Sequence, residues 1–410
     1  MSVELVAQQL DGSIKVRVRF DDVDITNDTR WCADTIVLNP VPTASGRSLN
    51  VTSPNTLLLD QGTTATRRTG SMLYNGVRIF TGWTLMRCRP GSWLNVEGGA
   101  SLVVDHVSTL DLQGGSKLTL APNAHASVDH SSALTVQSGA RLVLEANSQL
   151  VITRNSGLRL MPGARLDVAA GAQLIVTGNG RLELEPGSML AVADGGWVHI
   201  EEETGYGDGP GRMYYHRDAV IELNGPMAEV AFSGYLQLVD SATFAPVSVG
   251  HNYTQGRVRF NGFNSYNLVA DPGCRFVLKG LAKANRVLYV DQESLYCPKE
   301  LDEFTLMNGT ATLAPNARIV TSDLNADCLV NFINARVTSK DMYQNSHRGV
   351  WTFGQAGLTV QNTEFSNGEY RSPCLCRPLA AFPAHAHGLP LRQLCRRRIH
   401  LYAGHRRHAL

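Results

Sequence analysis

The residue types that acid–base catalysis uses are concentrated in one short segment. It reads Tyr214-Tyr215-His216-Arg217-Asp218 and is the densest polar and aromatic cluster of the chain. Imidazole and carboxylate groups can transfer protons near neutral pH, and a guanidinium group can hold an anionic substrate. His216, Arg217 and Asp218 are therefore the candidate catalytic residues if this protein is an enzyme.

An Asp-His pair occurs twice, first as Asp105-His106 and again as Asp129-His130. If the chain stacks with the spacing of these pairs, they lie one above the other, where they could hold a metal ion or act as acid and base. Neighbouring side chains on a strand point to opposite faces, however, so each Asp should diverge from its own His. We interpret both pairs as a solvated corner and predict no metal and no cofactor.

A basic series has the same 24-residue spacing. It consists of Lys117, Arg141 and Arg165, with Trp93 one step before Lys117. Cations in a row, next to an aromatic ring that can stack on a sugar, could bind an anionic polysaccharide. These four residues are the candidate ligand-binding residues. The alternative is an ordinary soluble face, which has the same composition.

The element that must position these residues is a repeat of eight residues from 91 to 200. It begins GSWLNVEG, GASLVVDH, VSTLDLQG, GSKLTLAP and runs through fourteen copies without insertion or deletion. The fourth position is Leu in all copies except Ala126 and Val198, and the sixth is Val, Leu or Ile. Apolar residues at i and i+2 share one face of an extended strand, so each octad predicts a short strand.

The first two positions of the octad predict where the chain bends. The first is Gly in eight copies and Asn in four, and these residues accept a positive φ most readily. The second position is always Ala, Ser or Gly, as expected in a corner where the backbone of successive turns stacks closely.

The number of octads in one coil follows from the first position. Every third copy, from Gly91 to Gly187, is glycine, whereas the class that contains Val107 and Asn155 has none. Three octads, about 24 residues, therefore make one coil, and coils stack at roughly 4.8 Å. The predicted fold is all-β: a triangular parallel β-solenoid. An apolar series at the outward fifth position, Val103, Val151 and Ile175, predicts a packing partner or a covering loop.

The octads resemble the right-handed parallel β-helix of the pectate-lyase-like superfold. More narrowly, they are similar to repeats of secreted and cell-surface β-solenoid proteins of Bacteroidota-type bacteria and of filamentous adhesins. The resemblance implies an extracellular or cell-surface location and export by type IX secretion. The superfold hosts lyases, hydrolases, adhesins and inert stalks, so it does not choose among functions.

Outside the octads, strand-like alternation is less regular. We expect irregular first coils or a cap over 1–90, a protruding loop over 201–218 and a less regular continuation of the solenoid over 219–370. The segment 371–410 has eight Arg, five His and three Cys but no Lys, Asp or Glu. We interpret it as a frameshifted or a disordered basic tail.

Charge and hydropathy exclude two kinds of partner. Without 371–410 the chain has 29 basic and 36 acidic residues, a net charge of −7, which argues against nucleic acid. No stretch reaches about 18 uncharged apolar residues, so no membrane-spanning helix is expected. The first twenty residues lack the apolar segment of a secretory signal, and we expect the chain to be part of a larger one.

The function predicted from these observations is a non-enzymatic secreted or cell-surface β-solenoid, serving as an adhesin, stalk or matrix component that binds polysaccharide or a cell-surface glycan. The regularity of the octads favours a non-enzymatic function, since an active site usually needs irregular loops that converge on a groove. The alternative is a polysaccharide lyase or glycoside hydrolase with a groove near 201–218. Pectin-degrading members of the superfold often use an Arg-x-Lys motif, which the sequence lacks.

Overall fold

The structure is a computed structural model of the chain, which divides into two compact units, residues 1–213 and 214–410. The described residues are 2–8, 14–19, 23–25, 29–31, 35–38, 48–51, 56–59, 85–88, 90–105, 107–202, 209–248, 256–261, 267–280, 286–290, 294–296, 298, 300–313, 318–320, 329–339, 349–352, 358–361, 364–366 and 368–371. They form strands and turns and contain no helix.

The strands up to residue 200 are short, mostly of four residues. They are β1 (Ser2–Gln8), β2 (Ile14–Arg19), β3 (Val23–Ile25), β4 (Thr29–Trp31), β5 (Thr35–Leu38), β6 (Ser48–Val51), β7 (Thr56–Leu59), β8 (Leu85–Cys88), β9 (Trp93–Val96), β10 (Ser101–Val104), β11 (Thr109–Leu112), β12 (Lys117–Leu120), β13 (His125–Val128), β14 (Ala133–Val136), β15 (Arg141–Leu144), β16 (Gln149–Ile152), β17 (Gly157–Leu160), β18 (Arg165–Val168), β19 (Gln173–Val176), β20 (Arg181–Leu184), β21 (Met189–Ala193) and β22 (Trp197–Ile200).

The strands after residue 200 vary more in length. They are β23 (Arg212–Tyr215), β24 (Val220–Asn224), β25 (Glu229–Phe232), β26 (Tyr235–Leu238), β27 (Thr243–Phe244), β28 (Gly256–Phe260), β29 (Leu268–Ala270), β30 (Cys274–Lys279), β31 (Arg286–Val290), β32 (Ser294–Tyr296), β33 (Leu301–Met307), β34 (Gly309–Leu313), β35 (Arg318–Val320), β36 (Leu329–Ile333), β37 (Arg336–Ser339), β38 (Gly349–Thr352), β39 (Leu358–Gln361), β40 (Glu364–Ser366) and β41 (Gly368–Arg371).

In the first unit, the strands from β3 to β19 each pair in parallel with the third strand after them. The first sheet runs β3-β6-β9-β12-β15-β18-β21, the second β4-β7-β10-β13-β16-β19-β22 and the third β5-β8-β11-β14-β17-β20. Within the repeat, paired residues occupy the same position three octads apart, as in Leu118↔Leu142 and Leu142↔Leu166. The predicted parallel β-solenoid with three octads per coil is therefore confirmed.

The corners have the backbone conformation that the octad predicted. All fourteen first positions have a positive φ, between 58° and 80°, whether the residue is Gly, Asn, Ser131 or Val107. Successive corners also bond to each other, because the Gly115 N–H donates to the Gly139 carbonyl at 3.0 Å and the Gly139 N–H to the Gly163 carbonyl at 3.1 Å. The left-handed residue turns the chain between sheets and keeps the coils in register.

The interior of the octad repeat consists mainly of side chains at the fourth and sixth positions. Their side chains are at most 1% exposed, except Ala126 at 7%, where the smaller side chain interrupts the ladder between Leu102 and Leu150. Burying one such Leu or Val side chain stabilises the fold by about 1.5–3 kcal/mol. The inward ladders therefore fix which side chains face outward on each sheet.

The second unit is also built from parallel strands, in coils of variable length. Its sheets include β25-β28-β31-β34-β37-β40, β27-β30-β33-β36-β39 and β32-β35-β38-β41. Phe244 pairs with Phe276, and Phe276 with Phe304, so both of these coils are longer than three octads and they differ from each other in length. Their stacked rings, with centroids 5.2 and 5.3 Å apart, form the core of this part.

The segments predicted outside the octads have mixed structures. In the first segment β1 pairs antiparallel with β2, and β3 to β8 join the parallel sheets. Within 201–218 the chain returns to a strand at β23, earlier than expected, because Met213 and Tyr215 alternate inward and are buried. Residues 203–208 and the basic tail from 372 to 410 lie outside the described residues.

No helix in the described part of the chain is both long and apolar enough to cross a membrane.

Val107 provides a test of the corner geometry, because it is the one β-branched residue among the fourteen first positions. A left-handed φ costs an ordinary residue about 1–2 kcal/mol of conformational free energy, and the penalty is smaller for Asn. Asn occupies the same corner at positions 155 and 179. We expect Val107→Asn to raise the free energy of unfolding by about 1 kcal/mol in urea denaturation. The control is Val107→Ala, which keeps the penalty; equal stability of the two variants would contradict the corner geometry.

Candidate functional site

The basic series lies in register on the outward side of the first sheet. Lys117 on β12 pairs with Trp93 on β9 and with Arg141 on β15, and Arg141 pairs with Arg165 on β18. The chain places them together because all four occupy the third octad position, which precedes the inward fourth. We call Trp93, Lys117, Arg141 and Arg165 the basic ladder.

Trp93 and Lys117 form the start of the basic ladder. The Lys117 Nζ atom lies 5.0 Å from the centroid of the Trp93 ring, in the range of a cation–π contact. The Trp93 Nε1–H donates a hydrogen bond of 2.9 Å to Thr119 Oγ1, which fixes the orientation of the indole. Trp93 remains 42% exposed, so a ring face is accessible to a ligand.

Arg141 and Arg165 share one carboxylate, that of Asp167. The Arg141 Nε atom is 2.5 Å from Asp167 Oδ2, and the Arg165 Nε atom is 2.7 Å from Asp167 Oδ1. Asp167 thereby offsets the repulsion between the two guanidinium groups one coil apart. Counting Lys117, Arg141 and Arg165 against Asp167, the ladder retains a formal charge of +2.

The corner after the second sheet brings together Asp105, Asp129, His130 and Arg154. His130 Nδ1 is 2.7 Å from Asp105 Oδ1 and 3.4 Å from Asp129 Oδ2. Arg154 Nη1 is 3.1 Å from both Asp129 Oδ2 and His130 Nε2. Because Arg154 acts as a donor to Nε2, the imidazole proton is assigned to Nδ1, facing Asp105.

The expected divergence of Asp and His at this corner is wrong for Asp129 and His130. Asp129 and His130 lie at a corner, where His130 has a φ of 45°, so the alternation of a strand does not apply to them. Three possible metal-ligand atoms of Asp105, Asp129 and His130 fall within 4.8 Å of one another. Arg154 already supplies a positive charge to this group, which opposes the binding of a cation there. His106 lies outside the described residues.

The candidate catalytic residues of the second unit do not converge. Arg217 and Asp218 lie on an exposed turn, with Arg217 Nε 3.7 Å from Asp218 Oδ2. His216 instead pairs with Asp240, and its Nδ1 lies 3.0 Å from Asp240 Oδ2. Tyr215 is buried and donates its hydroxyl to the Ala219 carbonyl. Burial raises the pKa of the Tyr215 phenol above its ordinary value, so this hydroxyl is no ready proton donor.

The partners that sequence reasoning missed were all present in the 24-residue spacing or in the octad. Arg154 follows His130, and Asp240 follows His216, each by one such 24-residue step. Asp167 is the outward fifth position directly after Arg165 and the inward Leu166. A search for complementary charges at these offsets would have found all three pairs.

No protein-family model and no curated protein matches the chain. Among solved structures, a hyper-glycosylated TibA fragment is 12% identical, with 86% of this chain and 98% of that chain covered and a TM-score of 0.20. Endo-xylogalacturonan hydrolase from Aspergillus tubingensis is 11% identical, with 86% and 90% covered and a TM-score of 0.25. With TM-scores this low, neither likeness bears on the chemistry of this chain.

Cys88 carries a buried thiol in the first unit, and it is expected to be unreactive. Burial, and secondarily the Asp111 carboxylate, raises the pKa of the Cys88 thiol from 9.0 to about 12. The thiol has a higher pKa in the folded protein than in the unfolded chain. Its contribution to the free energy of unfolding is therefore complete below pH 9, and it is lost as the pH rises from 9 to 12, because the unfolded chain loses this proton first.

We expect iodoacetamide at pH 8 to leave the peptide that contains Cys88 unmodified in the folded protein, because the thiolate is the nucleophile. The same peptide in urea should be modified, as read by mass spectrometry. Modification at equal rates with and without urea would show that Cys88 is not in the core.

Proposed function

We propose that this protein is a non-enzymatic β-solenoid that acts outside the cell or at its surface, as an adhesin, stalk or matrix component, and binds acidic polysaccharide along the basic ladder. The observation that carries this proposal is the register of three cations and an exposed tryptophan on four consecutive strands of one sheet. A polymer with regularly spaced negative charges can contact several coils at once.

The charge balance of the basic ladder supports an anionic ligand. Asp167 bridges two guanidinium groups but neutralises only one charge. The Arg141 side chain is 53% exposed, so it can bind a ligand carboxylate or sulfate without first being uncovered. A guanidinium group favours such oxyanions because it donates two parallel hydrogen bonds.

The alternative function is a polysaccharide lyase or glycoside hydrolase. The pair that favours it is His216 with Asp240, since a carboxylate can orient an imidazole that acts as a base. Arg217 and Asp218 pair with each other on an exposed turn instead of joining it. We therefore rank this function second, and its test is the release of sugar from the same polysaccharides.

The test of the basic ladder measures binding of the full chain to polygalacturonate. We expect Lys117→Gln and Arg141→Gln each to weaken binding about 1.4- to 5-fold, because an exposed charge contact contributes about 0.2–1 kcal/mol. Asp167→Asn should strengthen binding, since it raises the ladder's charge and releases two guanidinium groups. High salt should weaken the wild-type interaction.

The matched control is Arg181→Gln, which removes one exposed cation from the third sheet instead of the first. Its affinity should equal that of the wild type. Equal losses in Arg181→Gln and Arg141→Gln would mean unspecific attraction and would contradict the proposed site. Release of unsaturated or reducing sugar that His216→Ala abolishes would favour the enzyme instead.

A further inference from the structure

The outward side of the second sheet differs from the other two faces of the first unit. Between residues 101 and 200 it carries no Lys, Arg, Asp or Glu, whereas the first and third sheets bear ion pairs such as Arg141–Asp167 and Arg159–Glu185. We call this face the uncharged strip. Its ten outward residues, on β10, β13, β16, β19 and β22, are Ser101, Val103, His125, Ser127, Gln149, Val151, Gln173, Ile175, Trp197 and His199.

An exposed tryptophan stands at one end of the uncharged strip. Trp197 is 37% exposed and pairs in register with Gln173 on the neighbouring strand. Its ring centroid is 4.7 Å from that of His199 at an interplanar angle of 47°. A tryptophan held by a neighbouring ring offers a large apolar face at low entropic cost, which is why this residue dominates many binding surfaces.

Amide groups line the strip next to Trp197. The Gln149 Nε2 atom donates a hydrogen bond of 3.1 Å to Gln173 Oε1, so the two amides are oriented along the stack of strands. Each amide has two donor hydrogens and two acceptor lone pairs. One bond between them leaves both with capacity to bond hydroxyl groups of a ligand.

We infer that the uncharged strip binds a neutral glycan chain, with Trp197 stacked on a sugar ring and the amides of Gln149 and Gln173 bonded to sugar hydroxyls. Such a ligand has apolar ring faces and many hydroxyl groups but no charge, which matches the side chains of the strip. Glu201, whose carboxylate lies 3.9 Å from His199 Nδ1, adds negative charge at the end of the strip and disfavours an acidic glycan there. This site is separate from the basic ladder.

A second copy of the chain is a poorer occupant of the strip. Five strands at about 4.8 Å and four residues at about 3.3 Å give a face of roughly 300 Å². A stable protein interface buries about 800 Å² on each partner. A glycan needs far less area, because a few stacked rings and hydroxyl bonds suffice to hold it.

The test uses the full chain and isothermal titration calorimetry with cellohexaose, mannohexaose and chitohexaose, and with polygalacturonate as the acidic comparison. We expect binding of at least one neutral hexasaccharide, with little dependence on salt because no ion pair forms. Trp197→Ala should lower that affinity about tenfold or more, as is typical of an aromatic residue that dominates a binding surface. Gln173→Ala should lower it several-fold, and Trp197→Phe should retain part of it.

The matched control is Trp93→Ala, which removes the exposed tryptophan of the basic ladder. It should leave neutral-glycan binding unchanged, while Trp197→Ala should leave polygalacturonate binding unchanged, so the two proposed sites fail or succeed separately. Unchanged thermal unfolding of each variant shows that the fold is intact. Absence of binding to all three neutral hexasaccharides, or equal losses in Trp93→Ala and Trp197→Ala, would overturn the inference. So would a dimer in sedimentation that Trp197→Ala dissociates.

Discussion

The 24-residue register of the octads is the constraint on which the rest of the first unit depends. A left-handed residue at each corner turns the chain. The apolar Leu and Val side chains lie on one face of each strand, so only that face can point into the interior. Since each coil stacks on an almost identical one, a residue type repeated once per coil becomes a row with a spacing of about 4.8 Å. Surface chemistry in this protein is therefore organised in rows.

Like charges stacked one coil apart repel each other, and the three sheets of the first unit differ in which side chains they stack. Cations one coil apart repel, and the chain places Asp167 between Arg141 and Arg165 and an aromatic ring under Lys117. Uncharged amides in the same arrangement attract, as Gln149 and Gln173 do. The first and second sheets of the first unit thus carry different surfaces on the same type of backbone.

The octads made the fold of residues 91–200 predictable, because strand, corner and coil length each follow from residues that only one conformation accommodates. The pairing of outward side chains was harder to foresee. Asp105 meets His130 diagonally because the corner does not alternate like a strand, and His216 meets Asp240 instead of its sequence neighbour Asp218. Such contacts depend on rotamers and turn dihedrals, which the octad pattern does not determine. In the second unit the coil length varies, so no constant spacing in the sequence indicates which strands pair.

The most direct test of this account is the distance between nitroxide labels at positions 93 and 189, measured by pulsed electron paramagnetic resonance. These outward positions begin β9 and β21 of the first sheet and are joined through β12, β15 and β18. Three octads per coil place them four coils apart, so a separation of about 19 Å is predicted. A separation of about 29 Å, the value for six coils of two octads, would contradict the account.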